Sequence, residues 1–404
     1  MNLRKLFTIL IVIFPILNIY QLGISSFTLA DSLLLITIAF LILDIFKNKR
    51  KLNVSNIMLI IFWLIFVQML IYSIMDINDI NAVMTTLRVE FYYFVIALFF
   101  KDYFSTAYAT KIFPIFATLS SCMLIIQYVA FYRYGIFIRG TLPFLKVNEN
   151  LSTYINIMSA GLWTSIPYTR PRSFFSEPSH FGVYVTMALE LLLSNSNKKN
   201  WLAIIIITLG ILLSGSTMAI ILALLIIVIN IIKLFFEIID TKKIKKKIIM
   251  IVIVTLAVSI PCLMAISKTT SFQVFYNRTF VSKDSTDGRF ENFSYTFKEK
   301  KNVFYVIFGE GITKIDDTNG TKYITSIPRI YKYFGLVGII ISSGLLLYCF
   351  GKLKGLNLAA FIILFAISFS SEILFHSLLF VYMPYIVCRK GDLYDKNKYI
   401  CSNT

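Results

Sequence analysis

The stretch WLAIIIITLGILLSGSTMAIILALLIIVINIIKLFF, residues 201–236, decides how the rest of the chain is read. It holds two apolar runs, 201–214 and 218–236, joined by Gly215, Ser216 and Thr217, and Lys233 is its one charged residue. A helix needs about 20 apolar residues to cross roughly 30 Å of hydrocarbon. Two such runs around a minimal polar turn read as a helical hairpin that enters a bilayer and returns. Neither run alternates with a period of two, which excludes the strands of a membrane barrel.

Ten further apolar runs lie near residues 6–24, 28–46, 55–74, 89–103, 112–131, 181–195, 248–266, 334–350, 356–372 and 374–388. The predicted fold is an all-α polytopic integral membrane protein, a single membrane domain over 1–404 with about twelve transmembrane helices. Of the 404 residues 57% are hydrophobic and 15% charged. A soluble domain carries about 25% charge, so a soluble enzyme, a disordered chain and a disulfide scaffold are excluded. Cys122, Cys262, Cys349 and Cys388 fall in or at the ends of apolar runs and Cys401 near the C-terminus, which gives no disulfide framework. The first run follows Arg4 and Lys5 but has no small-residue cleavage site and is followed by more spans, so it reads as a retained helix.

The basic residues orient the spans, because Lys and Arg favour cytoplasmic loops. With the N-terminus inside, the cytoplasmic segments collect Lys47, Lys49, Arg50 and Lys51, then Lys101 and Lys111, Lys198 and Lys199, the lysines of 242–247, Lys352 and Lys354, and finally Arg389 and Lys390. The outer turns near 25–27, 75–87, 215–217 and 373 hold no Lys or Arg. Both termini are therefore predicted to be cytoplasmic. The alternative is that one short run, 89–103 or 374–388, enters and leaves by the same face. Two long segments then fall outside, 132–180 and 267–333. The first carries 5 basic against 2 acidic residues and the second 11 against 7. A net positive outer surface suits an anionic ligand at the outer leaflet, although isolated surface lysines often do no more than solvate the protein.

The densest chemistry lies at Arg170-Pro171-Arg172-Ser173-Phe174-Phe175-Ser176-Glu177-Pro178-Ser179-His180-Phe181-Gly182. Ser176 reads as an N-cap, and Glu177 and Pro178 suit a first helical turn. The free N–H groups of that turn and its dipole favour an anion, and Arg170 and Arg172 precede it closely. Glu177 and His180 are three apart and share a helix face. The bland reading is a plain capping sequence with arginines reaching toward headgroups. A second group is Asp287-Gly288-Arg289-Phe290, Phe308-Gly309-Glu310-Gly311 and Pro328-Arg329, with Arg289 expected to face Arg170 and Arg172 across a cleft between the loops. A third is Glu372 with His376 in the last outer turn. Phosphate-loop, CxxC, HExxH and GxSxG motifs are absent, so neither a cofactor nor a metal is expected.

Residues 170–181 resemble the bacterial O-antigen and capsule polysaccharide polymerases of the Wzy type, in which an Arg followed by a Phe-x-Glu-Pro-Ser-x-Phe stretch enters a membrane helix from a large external loop. Residues 87–93, 213–217, 288–289 and 333–338 also look like family segments. The related O-antigen ligases usually carry a His-Asn pair before the helix after the second loop; here that place reads Ser326-Ile327-Pro328-Arg329.

The resemblance implies a multi-pass protein of the bacterial inner membrane. It would join oligosaccharide repeat units borne on undecaprenyl pyrophosphate into capsule, O-antigen or exopolysaccharide at the outer face. Arg170, Arg172, Arg289 and Arg329 would hold pyrophosphate. Glu177 or His180 would take the proton of the acceptor hydroxyl, with Glu372 and His376 as secondary candidates. The implied partners are the lipid-linked oligosaccharide, the bilayer and a chain-length regulator protein, with no role for nucleic acid. The competing classes are a flippase or transporter of the same unit, a ligase-type oligosaccharide transferase, and a non-enzymatic scaffold.

Overall fold

The computed structural model describes residues 2–22, 27–75, 80–147, 152, 155, 156, 170–194, 200–241, 302–311 and 325–388. They form helices; among the described residues there is no strand, only isolated bridges pairing Tyr20 with Val147 and Gln21 with Thr28. The chain packs as two compact units. One comprises Met1–Phe116, Thr141–Tyr154 and Gly288–Thr404, the other Ala117–Gly140 and Ile155–Asp287.

The first unit holds α1 (Leu3–Leu17), α2 (Leu29–Asn48), α3 (Asn56–Met75), α4 (Ile80–Tyr103) and the start of α5 (Thr106–Tyr134). After a long interval it adds α9 (Val303–Phe308), α10 (Ser326–Lys352), α11 (Gly355–Ser370), a 3-10 turn at Ile373–Phe375 and α12 (Leu379–Val387). The second unit holds the rest of α5, α6 (Pro178–Ser194), α7 (Trp201–Leu213) and α8 (Thr217–Thr241).

Among the described residues four helices have the length and apolarity to cross a membrane: α2, α4 from Val83, α5 and α10. The surface of α2 shows why water is the wrong solvent. Leu35, Ile36, Phe40, Leu43 and Phe46 are all exposed, as are Ile221, Leu224, Val228, Ile231 and Ile232 on α8. Continuous apolar faces of this kind would aggregate in water and are the natural outer surface of a helix in hydrocarbon. The described chain is thus an all-helical, membrane-embedded protein.

Each expected apolar run other than 248–266, which lies outside the described residues, carries a helix. Two runs depart in detail. The last, 374–388, is not one continuous helix. It forms the 3-10 turn and then α12, whose nine residues reach only about 14 Å at 1.5 Å per residue. Leu379 to Tyr385 are buried throughout. The reason is visible in Phe380, whose ring lies 4.8 Å from Phe14, 4.9 Å from Tyr92 and 5.7 Å from Phe100. Close aromatic pairs of this type add stability beyond the area they bury, and α12 is drawn into the core of its unit rather than along its outside.

The second departure is α10, which starts at Ser326, inside what was expected to be loop up to residue 333. The helix is broken at Gly335, where φ is 60° and ψ is −151°. The segment after α9 crosses this break: Glu310 N–H donates to the Lys332 carbonyl at 2.7 Å and Gly311 N–H to the Tyr333 carbonyl at 3.3 Å. A Cβ on Gly309 would overlap the Tyr333 backbone, and one on Gly335 the Ile307 backbone. Both positions have positive φ, so glycine answers both requirements. The Gln68 amide of α3 donates to the Phe308 carbonyl at the end of α9 and to the Tyr333 carbonyl beside the break.

In the second unit Gly182 lets α6 lie directly on α8, where a Cβ would overlap Ala219. Small residues at such crossings let membrane helices pack backbone to backbone. Gly182→Ala should therefore cost about 1–3 kcal/mol by overpacking and lower the thermal midpoint of the purified protein in detergent. Gly344→Ala is the control, since nothing lies within 4 Å of the added methyl; equal midpoints for both variants would count against this packing.

Candidate functional site

In the second unit the chain reaches α6 through a tight, polar turn. Pro178 is the first helical residue, so Glu177, not Ser176, stands at the N-cap. Proline suits that place because its fixed φ fits a helix and its missing N–H would have had no partner there. Ser176 is released to another use: its Oγ lies 2.7 Å from His180 Nδ1. Glu177 is exposed and accepts from Ser179 Oγ at 2.9 Å.

Arg172 is only 5% exposed. Its Nη1 donates to the Ser176 carbonyl at 3.4 Å, folding the guanidinium back over the turn. The next residue, Ser173, has φ +57°, a conformation that costs a non-glycine residue about 1–3 kcal/mol. Gln127 of α5 offsets that strain. Its Oε1 accepts from Ser173 N–H at 2.7 Å and from Arg172 N–H at 3.3 Å, and its Nε2 donates to the Ser173 carbonyl at 3.3 Å. Ser173 Oγ donates to the Ser120 carbonyl at 2.6 Å. Beneath the turn Phe175 is buried, 5.1 Å from the Tyr184 ring and 6.0 Å from Phe181.

Arg170 Nη1 reaches the Gly215 carbonyl at 3.5 Å, in the turn between α7 and α8. That turn is itself ordered by serines. Ser214 Oγ accepts from Ser216 N–H at 3.2 Å, and Ser216 Oγ accepts from Ala219 N–H at 3.4 Å. The structure thus brings together Arg170, Arg172, Ser176 and His180 with Gly215, two places far apart in sequence. A buried Arg172 and a half-buried Arg170, beside serine hydroxyls and the first turn of α6, form a setting in which an anion is stabilised.

The first unit carries the other described candidates. Ser326 opens α10 and ties it to the turn after α11: Ser326 N–H and Oγ donate to the Ser371 carbonyl at 3.0 and 2.8 Å. Tyr93 of α4 holds the same turn through the Leu374 carbonyl at 2.9 Å. Across this seam Arg329 Nη1 lies 2.6 Å from Glu372 Oε2. The Arg329 Cζ sits 5.8 Å from the Tyr333 ring centre and 5.7 Å from that of Phe375, within cation–π range. His376 is used locally, its Nδ1 accepting from Leu378 N–H at 3.2 Å at the start of α12. Arg289, and with it the expected cleft opposite Arg170 and Arg172, lies outside the described residues.

Residue patterns alone did not single out Gln127, Ser120, Gln68 or Lys332. The available signal was their polarity inside apolar runs or beside them, where an unpaired polar group is expensive. Among the described residues no group of three or more His, Cys, Asp or Glu has the geometry to hold a metal ion. Compared with protein-family models, with curated proteins and with solved structures, the chain matches none.

Gln127→Leu keeps the volume but removes the acceptor for two buried N–H groups. Leaving such groups unsatisfied costs about 1–3 kcal/mol each, so this variant should show a clearly lower thermal midpoint than wild type in detergent. Gln127→Glu, which retains the acceptor oxygen, should lose less. A Gln127→Leu midpoint equal to that of wild type would mean that the amide does not hold the turn.

Proposed function

We propose that this protein is a polysaccharide polymerase of the bacterial inner membrane, with about twelve transmembrane helices, both ends in the cytoplasm and its two long loops outside. Its donor is an oligosaccharide repeat unit on undecaprenyl pyrophosphate. The observation that carries the reading is the burial of Arg172 against the turn that opens α6, with Arg170 two residues before it reaching the Gly215 carbonyl. Removing a charge from water costs several kcal/mol even after relaxation, and a guanidinium held at a helix start is well placed to receive a diphosphate.

In the reaction the bond from the donor's anomeric carbon to the pyrophosphate oxygen breaks, and a bond from that carbon to the acceptor hydroxyl oxygen forms. The electron pair of the broken bond leaves with undecaprenyl pyrophosphate. Arg170 and Arg172 stabilise the charge that builds there, an electrostatic contribution that is often the largest in catalysis. The acceptor proton passes to Glu177, whose carboxylate is exposed at the N-cap, or to His180. Membrane helices hold both lipid tails and so turn a two-body encounter into an oriented one. The donor supplies the energy, so no nucleotide takes part, and a chain-length regulator is the one protein partner this chemistry invites.

A second reading, a flippase or transporter of the same unit, is favoured by one observation. Glu190 is wholly buried within α6, and Lys233 Nζ of α8 lies 2.6 Å from its Oε1. Ionisable residues at membrane depth often mark transport pathways.

The test is gel analysis of surface glycans from a strain lacking this protein, complemented with variants. Arg172→Ala should yield single repeat units in place of a ladder. Glu177→Gln, if Glu177 is the base, should slow elongation about 10²–10⁴-fold. A full ladder from Arg172→Ala sinks the polymerase reading, and loss of all surface glycan in the deletion strain, with units trapped on the inner leaflet, favours transport. A reporter placed near residue 175 should lie on the outer face; a cytosolic signal would reverse the proposed topology.

A further inference from the structure

The geometry points to a binding site for an anionic phospholipid where α2 ends, with an acyl chain laid along the helix and the headgroup phosphate held by Lys47, Lys49 and Lys51. The site stands apart from the polymerase reading, and it holds in whichever leaflet this end of α2 reaches.

Ile36, Phe40, Leu43 and Lys47 follow one another at helical spacing and therefore share one face of α2. The three apolar members are exposed at 55%, 51% and 63%. From Ile36 to Lys47 the helix rises about 17 Å at 1.5 Å per residue, and half of the hydrocarbon core is about 15 Å thick. An apolar stripe as long as one leaflet is deep thus ends on a cation. Phe46, 77% exposed, flanks the stripe at the level where a lipid chain gives way to its headgroup.

Beyond Lys47 the chain turns sharply. Lys49 adopts the left-handed conformation, with φ 47° and ψ 40°, and closes the helix. Its N–H meets the Ile45 and Phe46 carbonyls, and Arg50 N–H donates to the Ile45 carbonyl at 3.1 Å. Open carbonyls at a helix end repel an anion; these two are already taken. The acids beside the turn are committed as well. Asp44 receives Arg50 Nη1 at 3.3 Å, Asn48 Nδ2 at 2.7 Å and the Tyr103 hydroxyl at 2.8 Å. Asp102 accepts from Asn53 N–H at 2.6 Å, and Lys101 Nζ donates to the Val54 carbonyl at 2.9 Å. These contacts pin the turn to the ends of α2 and α4. They leave Lys47, Lys49 and Lys51 exposed, with no carboxylate within ion-pair distance among the described residues.

Three ammonium groups on a fixed turn, directly beyond an apolar stripe, match an amphiphile with a negative head and a hydrocarbon tail. A soluble anion would use the lysines and leave the stripe idle. A zwitterionic lipid would use the stripe but bring its own cation to the lysines, and that repulsion offsets the attraction of its phosphate. A lipid such as phosphatidylglycerol satisfies both parts. The lysine stems can lie along the apolar edge while their ammonium groups reach the phosphate, and each such charge adds an attraction that fades within a Debye length.

The test is photo-crosslinking of the full-length protein in nanodiscs that mix phosphatidylcholine and phosphatidylglycerol, with one lipid at a time carrying a diazirine on its chain. Adducts are mapped to residues 36–46 by mass spectrometry. At equal mole fraction phosphatidylglycerol should label this stretch at least about fivefold more than phosphatidylcholine, the preference that one lysine's attraction supports. Lys47→Gln/Lys49→Gln/Lys51→Gln should erase the preference, and the matching triple Arg variant should keep it. Equal labelling by the two lipids in wild type, a preference that survives the triple Gln variant, or one lost in the triple Arg variant overturns the proposal. Should the triple Gln variant fail to insert, wild type is read in rising salt instead. The preference must shrink as screening grows, and a salt-independent preference refutes the site. Glycan elongation plays no part in the measurement, so its outcome is separate from that of the polymerase reading.

Discussion

A polar group in a hydrocarbon-embedded helix must find its partner within the protein, and the rest of this structure follows from that constraint. Water is not there to repair an unpaired carbonyl or a lone charge, and each omission costs several kcal/mol. The polar side chains in apolar helices of this protein are therefore tools for specific tasks. Gln127 secures the strained turn that holds Arg172. Gln68 ties the end of α9 to the break in α10 through the Phe308 and Tyr333 carbonyls. Glu190 is enclosed by Lys233, Asn230 and Ser194, with distances of 2.6 to 2.7 Å to its oxygens. Asp31 accepts from Tyr92 Oη at 2.6 Å and from the backbone and hydroxyl of Thr28.

The two candidate regions solve the problem of a sheltered arginine differently. Arg172 donates to a neutral oxygen, the Ser176 carbonyl. Arg329 faces a carboxylate and its charge is cancelled. Each belongs to its own compact unit, and each is ordered by serines at a helix start, Ser173 and Ser176 in one, Ser326 in the other.

Helix positions were legible from the apolar runs because the hydrophobic pattern is nearly all that decides whether a segment enters a bilayer. The Arg170–His180 cluster was legible because polar, helix-capping and charged residues crowd into thirteen positions. What stayed hidden was tertiary. That Ser176 leaves the N-cap to Glu177 depends on where Pro178 can sit. That α12 is a short, enclosed helix depends on Phe380 finding Phe14, Tyr92 and Phe100, which lie far away in sequence. The pairing of Lys332 with Glu310 depends on a backbone crossing that two glycines permit, one in the long polar segment and one at the edge of an apolar run, and isolated glycines do not announce such a crossing.

The Phe380-centred cluster has a consequence for biogenesis. Its members come from α1, α4 and α12, so the first and last helices of the described chain share one aromatic knot, while the second compact unit is encoded between them. During synthesis α1 and α4 must wait in the membrane, their inner rings unmet, until nearly three hundred further residues have been added. Such long-delayed closure is slow and leaves apolar partners unclaimed for a time. The early helices thus remain a standing invitation to insertion chaperones or neighbouring lipids until α12 arrives to replace them.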